Sequence, residues 1–270
     1  MTLPFLVNDD HQEIVPGMLP SDITVLDNKA PAAVISIQNP GDVPLRLGIM
    51  VDSSGSEKSS TTYLEGLRAV QDFIPRALSG PRDKAFIATF NDEAQSTGFL
   101  TRNQLAQIQL NATPRGGTAL YDAIISACNN LIRHDSEEPV RRVMVLLSDG
   151  EDDASLSRLD KAVETAQQTA TMIFAINTRH NQETDRGAKN LRELATTTGG
   201  LLFDSRNKDM SKAFAEVEAQ LHRIYSITFV LTATAHPVTY HSLELKLKTD
   251  SKMKVSATQR FYIGERPPAP

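Results

Sequence analysis

The stretch LRLGIMVDSSGS at residues 45–56 decides how the rest of the chain is read. Leu45 to Val51 is a strongly apolar run, broken only by Arg46 and too short for a typical helix, the pattern of a strand buried on both faces of a sheet. It stops abruptly at Asp52. Beyond it, Asp52, Ser54 and Ser56 stand at i, i+2 and i+4, so in an extended or tightly turning segment one carboxylate and two hydroxyls point the same way. Open α/β sheets bind ligands where strands leave the sheet, and oxygen ligands on one loop suit a hard cation. Taken alone, the same residues also fit a polar strand-to-helix loop in which Ser and Asp do turn and capping work.

C-terminal to this stretch, helical and strand patterns alternate. The spacing predicts helices near 59–79, 103–110, 119–133, 156–169, 189–197 and 209–225, with strands near 85–90, 143–147, 172–176 and 201–203. Such alternation means βαβ crossovers and a mostly parallel, doubly covered sheet. Both flanks read differently. Short β-like runs occupy 4–7, 23–27 and 32–38, and period-two patterns return at Ile227, Phe229 and Leu231, at Leu243, Leu245 and Leu247, and near Val255, Phe261 and Ile263. The expected organisation is an N-terminal β segment at 1–42, an α/β domain at 43–225 and a C-terminal β segment at 226–270. Each flank is too short to stand alone, so the two are expected to join in one small antiparallel unit.

A second apolar run, Val143 to Leu147, ends in Ser148-Asp149-Gly150, at the equivalent end of a neighbouring strand. Between the two runs, Arg115-Gly116-Gly117-Thr118 sets a hydroxyl before the helix expected from Ala119, where Thr118 doubles as an N-cap candidate. Magnesium takes six oxygens and usually keeps some waters, so a few side chains can hold it and leave a position open. Asp52 and Asp149 at most just offset a double charge, which makes an incoming carboxylate an attractive last ligand.

These three loops resemble those of the von Willebrand factor A domain. Asp52-x-Ser54-x-Ser56, the segment Gly116-Gly117-Thr118-Ala119-Leu120-Tyr121-Asp122-Ala123 and Leu146-Leu147-Ser148-Asp149-Gly150 carry the likeness, over about 45–225. In that family they form the metal-ion-dependent adhesion site. The resemblance implies a Rossmann-like sheet with one antiparallel edge strand and a site built from Asp52, Ser54, Ser56, Thr118 and Asp149. It implies magnesium, with manganese or calcium as alternatives, and a protein partner gripped through its own Glu or Asp. Glu57-Lys58 departs from a family in which many members have a hydrophobic residue at that point. Thr24 to Asn28 and Arg260 to Ile263 are similar to segments of bacterial, often acidobacterial, proteins related to this domain. Members of that group are typically exported.

Composition narrows the function classes. The chain has 270 residues, 40% of them apolar, and a formal charge of -5, which argues against a large basic footprint for nucleic acid or anionic lipid. No stretch reaches bilayer-spanning length. The opening MTLPFLVNDD lacks the basic and long apolar regions of a secretory signal, and Met1 ahead of mid-strand-like sequence suggests a trimmed N-terminus. The single cysteine, Cys128, cannot form an intramolecular disulfide and reads as a small core residue.

Several residues beside the loops have two readings. Glu151-Asp152-Asp153 could add metal ligands or form an acidic rim, though a solvated helix start fits better. Asp122 could orient a metal-bound water or serve as a cap. The loop 178–185, with His180, could read a partner or be an ordinary polar connection. The expected function is a binding module without catalysis. A scaffold whose metal only stabilises the loops is the alternative. A metal-assisted hydrolase is the remoter one, because no G-x-S-x-G, P-loop, G-x-G-x-x-G or H-E-x-x-H motif is present.

Overall fold

The computed structural model describes residues 1–8, 17–55, 61–110, 113–132, 139–179, 185–204, 210–231, 239–248 and 253–263. The chain opens with β1 (Thr2–Asn8), β2 (Ile23–Asp27), β3 (Ala30–Ala32) and β4 (Val34–Gln38). The α/β part follows as β5 (Leu45–Asp52), α1 (Thr61–Ala77), β6 (Lys84–Phe90), β7 (Ala94–Ser96), α2 (Arg102–Leu105), α3 (Leu120–Ser126) and β8 (Arg141–Ser148). It continues through α4 (Leu159–Gln168), β9 (Thr171–Asn177), α5 (Arg186–Thr197), β10 (Leu202–Asp204) and α6 (Met210–Leu221). The strands β11 (Ile224–Phe229), β12 (Thr239–Leu247), β13 (Lys254–Ala257) and β14 (Arg260–Ile263) complete it.

The central sheet runs β10-β9-β8-β5-β6-β7, parallel except for β7, which lies antiparallel on β6 as the resemblance implied. Burial on both faces explains the run of apolar residues in β5, which is buried along its whole length. Leu45, Leu47, Ile49 and Val51 face one core with Val70, Phe73 and Phe214, while Met50 faces another with Phe86, Leu120 and Ile124. Helices α1 and α6 cover the first face, where the Phe73 and Phe214 rings stand 4.9 Å apart; α3, α4 and α5 cover the second. Burying such side chains fully stabilises the fold by about 1.5–3 kcal/mol each. Gly48 interrupts β5 because a Cβ there would lie 2.5 Å from the Phe86 ring. Cys128 is buried in the second core, as expected of a small core residue.

The flanks build two antiparallel sheets, ordered β13-β1-β11-β4 and β14-β12-β2-β3. Leu3, Phe5, Ile227 and Phe229 of the first pack with Ile23, Val25, Leu243 and Phe261 of the second, which makes a sandwich around a third core. Strand β1 is buried on both faces. Leu6 and Ile224 are register partners on β1 and β11, and both belong to the first α/β core. The sandwich is thus fused to the face that α1 and α6 cover.

Element boundaries differ from the sequence reading in instructive ways. The last helix ends at Leu221, and Ile224 and Tyr225 begin β11, where β-branched and aromatic residues fit a pleated, half-buried surface. The run 32–38 is split between β3 and β4, which lie in different sheets. The helix expected at 103–110 is reduced to α2, with Ile108 and Leu110 packed on the first core from irregular backbone. The helix expected to reach Arg133 changes at Ala127 to a wider π turn through Ile132.

Candidate metal centre

Strands β5 and β8 are parallel neighbours with Val51 opposite Leu147, so Asp52 and Ser148 leave the sheet side by side. The Asp52 carboxylate is only 2% exposed. Its Oδ1 accepts from the Ser54 backbone N–H at 2.9 Å and its Oδ2 from the Ser148 hydroxyl at 2.7 Å. Ser148 Oγ in turn accepts from Gly150 N–H at 3.0 Å, which bends the β8 loop back over the strand end. Burial pushes the Asp52 carboxyl up from 3.8 to about 6; the hydrogen bonds from Ser54 and Ser148 oppose this, and the charge of Asp149 adds to it. Among the described residues no basic side chain pairs with Asp52.

Asp149 is 3% exposed, with Oδ1 accepting from Glu151 N–H at 3.0 Å and Oδ2 from Arg179 Nη2 at 2.8 Å. The Gly-Gly-Thr loop is tied to the first loop by Arg115 N–H on Ser53 O at 2.9 Å and Gly55 N–H on Gly116 O at 3.0 Å. It is tied to the third by Thr118 N–H on Asp153 Oδ1 at 2.7 Å. Thr118 and Ser54 are both buried. The structure therefore brings Asp52, Ser54, Thr118 and Asp149 to one cluster of cross-linked loops. Ser56 lies outside the described residues, as do Glu57, Lys58 and His180.

Thr118 is not the cap of α3. That position belongs to Ala119, which offers no side-chain bond, and the task passes to the acidic run that follows Asp149. Asp153 accepts from Thr118 N–H, and Asp152 Oδ2 from Tyr121 N–H at 3.0 Å. Glu151-Asp152-Asp153 is thus not the solvated start of its own helix, since α4 begins only at Leu159. It serves the positive end of α3 across the site. Asp122 acts in the opposite direction, accepting from Leu156 N–H at 2.7 Å and Ser157 N–H at 3.1 Å. Thr178 and Arg179 of the 178–185 loop border the site, with Thr178 N–H bonded to Ser148 O at 3.1 Å.

Sequence reasoning missed three participants. Ser148 sits in the Ser148-Asp149-Gly150 motif, and its role shows only in the pairing of two strand ends. Asp92 accepts from Gly117 N–H at 2.8 Å, and Arg179 pairs with Asp149; both contacts link loops far apart in sequence, which no local pattern reveals. Chemically, the cluster offers two buried carboxylates and hydroxyl oxygens. Among the described residues no group of three or more His, Cys, Asp and Glu is poised to hold a metal, so a cation here would draw on the hydroxyls.

A family model for the von Willebrand factor type A domain matches residues 47–220. The chain belongs to this family. Among solved structures, the von Willebrand factor type A protein from Catenulispora acidiphila aligns at TM-score 0.53 and 12% identity, covering 97% of this chain and 74% of that one. Proximal thread matrix protein 1 from the mussel byssus, in a form whose metal-ion-dependent adhesion motif is occupied by zinc, aligns at TM-score 0.55 and 16% identity. That match covers 73% of this chain, which spans only half of the mussel protein. A PilB minor pilin mutant from Streptococcus sanguinis gives TM-score 0.53 and 12% identity, with coverage of 68% and 62%. At these identities the likeness is one of fold. No curated protein sequence matches the chain significantly. The described residues contain no helix long and apolar enough to cross a membrane.

Proposed function

We propose that this von Willebrand factor A domain is a metal-dependent protein-binding module in which Asp52, Ser54, Ser56, Thr118 and Asp149 hold one divalent cation, magnesium or manganese before calcium. The observation that carries this reading is the state of Asp52. A carboxylate 2% exposed, beside a second buried carboxylate and with no basic partner among the described residues, is costly. A divalent ion at the mouth of the loops would offset that cost. The donor set fits a hard cation, with carboxylate and hydroxyl oxygens and no sulfur or imidazole among the described members.

When bound, the ion would supply a Lewis-acidic position for an oxygen of the partner. The chain's own residues orient the ligands: Ser148 and the Ser54 amide fix Asp52, and the acidic run and Asp92 fix the Thr118 loop. With two carboxylates against two charges, a Glu or Asp of a protein partner is the preferred last ligand. The site lies within the α/β part, residues 43–221, and the strands before residue 43 and from Ile224 onward form one supporting β unit. We read the module as exported, non-catalytic and acting by adhesion; its fold likeness to a byssus matrix protein and a minor pilin supports that reading.

Calorimetric titration of magnesium and manganese into metal-stripped protein, beside Asp52→Ala, tests it. One ion bound by the wild type and none by the variant is the expected result, followed by metal-dependent capture of peptides bearing Glu or Asp but not their amide counterparts. A folded wild type that binds no ion would overturn the reading. Metal that stabilises the protein without enabling any acidic peptide to bind would leave a scaffold role in its place.

A further inference from the structure

Among the described residues, Asp149 has a basic partner and Asp52 has none. Arg179, on the loop after β9, places Nη2 at 2.8 Å from Asp149 Oδ2 and Nη1 at 3.3 Å from Glu151 Oε1. The Arg179 and Glu151 side chains are 37% and 38% exposed, whereas the Asp149 side chain is only 4% exposed. The guanidinium thus covers the carboxylate from the solvent side. Its loop is anchored there, because Arg179 N–H donates to Asn177 Oδ1 at 3.0 Å and Thr178 N–H to the strand end at Ser148 O. A fixed positive charge touching a carboxylate opposes any second cation that would use the same group. At a separation of several ångströms and an effective dielectric constant near 20, this like-charge repulsion is large enough to change an affinity at least about tenfold.

Building on the metal-site reading above, we propose that Arg179 sets the affinity of the site, acting as an internal counter-cation that holds Asp149 in the metal-free protein and competes with the divalent ion. Its second partner, Glu151, gives the guanidinium a place to remain when the ion draws on Asp149. The metal-free domain is thereby kept from carrying two unneutralised buried carboxylates. The cost is weaker metal binding, so occupancy responds to the supply of the ion.

The test compares wild type, Arg179→Gln, Arg179→Lys and Asp52→Ala, using magnesium and manganese titrations and melting temperatures in chelator and in saturating metal. Arg179→Gln should bind the ion about tenfold more tightly than wild type. It should also melt lower in chelator, where Asp149 has lost its partner, and gain more on adding metal. Arg179→Lys, which keeps the charge, should stay close to wild type in both readouts. Wild-type binding that Asp52→Ala abolishes but Arg179→Gln leaves unchanged, or weakens, would overturn the proposal while sparing the metal site. Absence of binding in both wild type and Arg179→Gln would overturn both readings together.

Discussion

The hydroxyl of Ser148 donates to Oδ2 of Asp52 at 2.7 Å across the ends of two adjacent parallel strands, and the same oxygen accepts from Gly150 N–H at 3.0 Å. One side chain therefore orients the first loop and bends the third. The contact follows from strand register alone, since Val51 pairs with Leu147 and the next residues must emerge together. Together with the Ser54 amide, it holds the Asp52 carboxylate in place through protein contacts.

Ser148→Ala should therefore act on stability and on the site together. Removing a buried hydroxyl that serves as donor and acceptor leaves partners unsatisfied and costs about 1–3 kcal/mol. Urea unfolding of the metal-free variant should show a lower midpoint with an unchanged slope, and metal titration should show weaker binding, because Asp52 keeps only its bond from the Ser54 amide. A variant that loses stability but keeps its ion affinity would show that Ser148 has no part in aligning Asp52.

Asp52→Asn should separate stability from metal binding. Burial holds the Asp52 carboxyl at about 6 against an ordinary 3.8, so keeping it ionised at neutral pH costs the metal-free fold about 3 kcal/mol. An amide of the same shape avoids this charge and can still accept from the Ser54 amide. In chelator at pH 7.5 the variant should unfold at the same or a higher temperature than wild type. In saturating magnesium the order should reverse, because only the wild type gains from the ion. A large loss of stability in chelator would mean that the carboxylate is structural.

The framework was legible because it rests on local patterns. LRLGIMV and VMVLL announce two central strands, and the polar residues that end them fall at the sheet edge where ligands collect. Period-two runs in both flanks gave a paired antiparallel unit. What stayed hidden depends on contacts between distant segments. Nothing local to Asp152 or Asp153 shows that they serve the helix that begins at Leu120, nor does the sequence around Arg179 point to Asp149. Likewise Ile224 and Tyr225 continue the helical spacing of α6 on paper. Their membership in β11 is decided by pairing with Leu6 and Phe5, more than two hundred residues earlier.

Asp122 makes a prediction about acid stability. Burial would raise its carboxyl, but hydrogen bonds from the Ser157 side chain and the Leu156 and Ser157 amides outweigh it and hold the carboxyl below 3.8. A depressed carboxylate stabilises the fold above its unfolded value and loses that contribution as pH falls through the folded value. Asp122→Asn should therefore cost about 1 kcal/mol at neutral pH. Its unfolding free energy should converge with that of wild type below about pH 4. A difference that persists unchanged into strong acid would place the effect in packing instead of charge.

The third loop depends on a close approach that only glycine permits. Gly150 has a φ of +78°, and a Cβ on it would lie 2.2 Å from the Gly187 carbonyl oxygen; a Cβ on Gly187 would lie 2.1 Å from the carbonyl oxygen of Asp149. The first turn of α5 and the Asp149 loop are thus in backbone contact, which Asn190 reinforces by donating Nδ2–H to Gly150 O at 3.0 Å. Gly187 itself has an ordinary helical position, so alanine there adds no conformational strain and would normally favour the helix. Any loss in Gly187→Ala must come from pushing the two backbones apart, and since neither is a flexible side chain it should reach about 3 kcal/mol or more. The displacement falls on Asp149, so metal affinity should drop as well, whereas Gly98→Ala, on a positive-φ turn with open space around it, should lose stability and leave the affinity intact. Equal ion affinity in Gly187→Ala and wild type would show that the site tolerates movement of the third loop, and would remove Asp149 from among the residues whose exact placement matters.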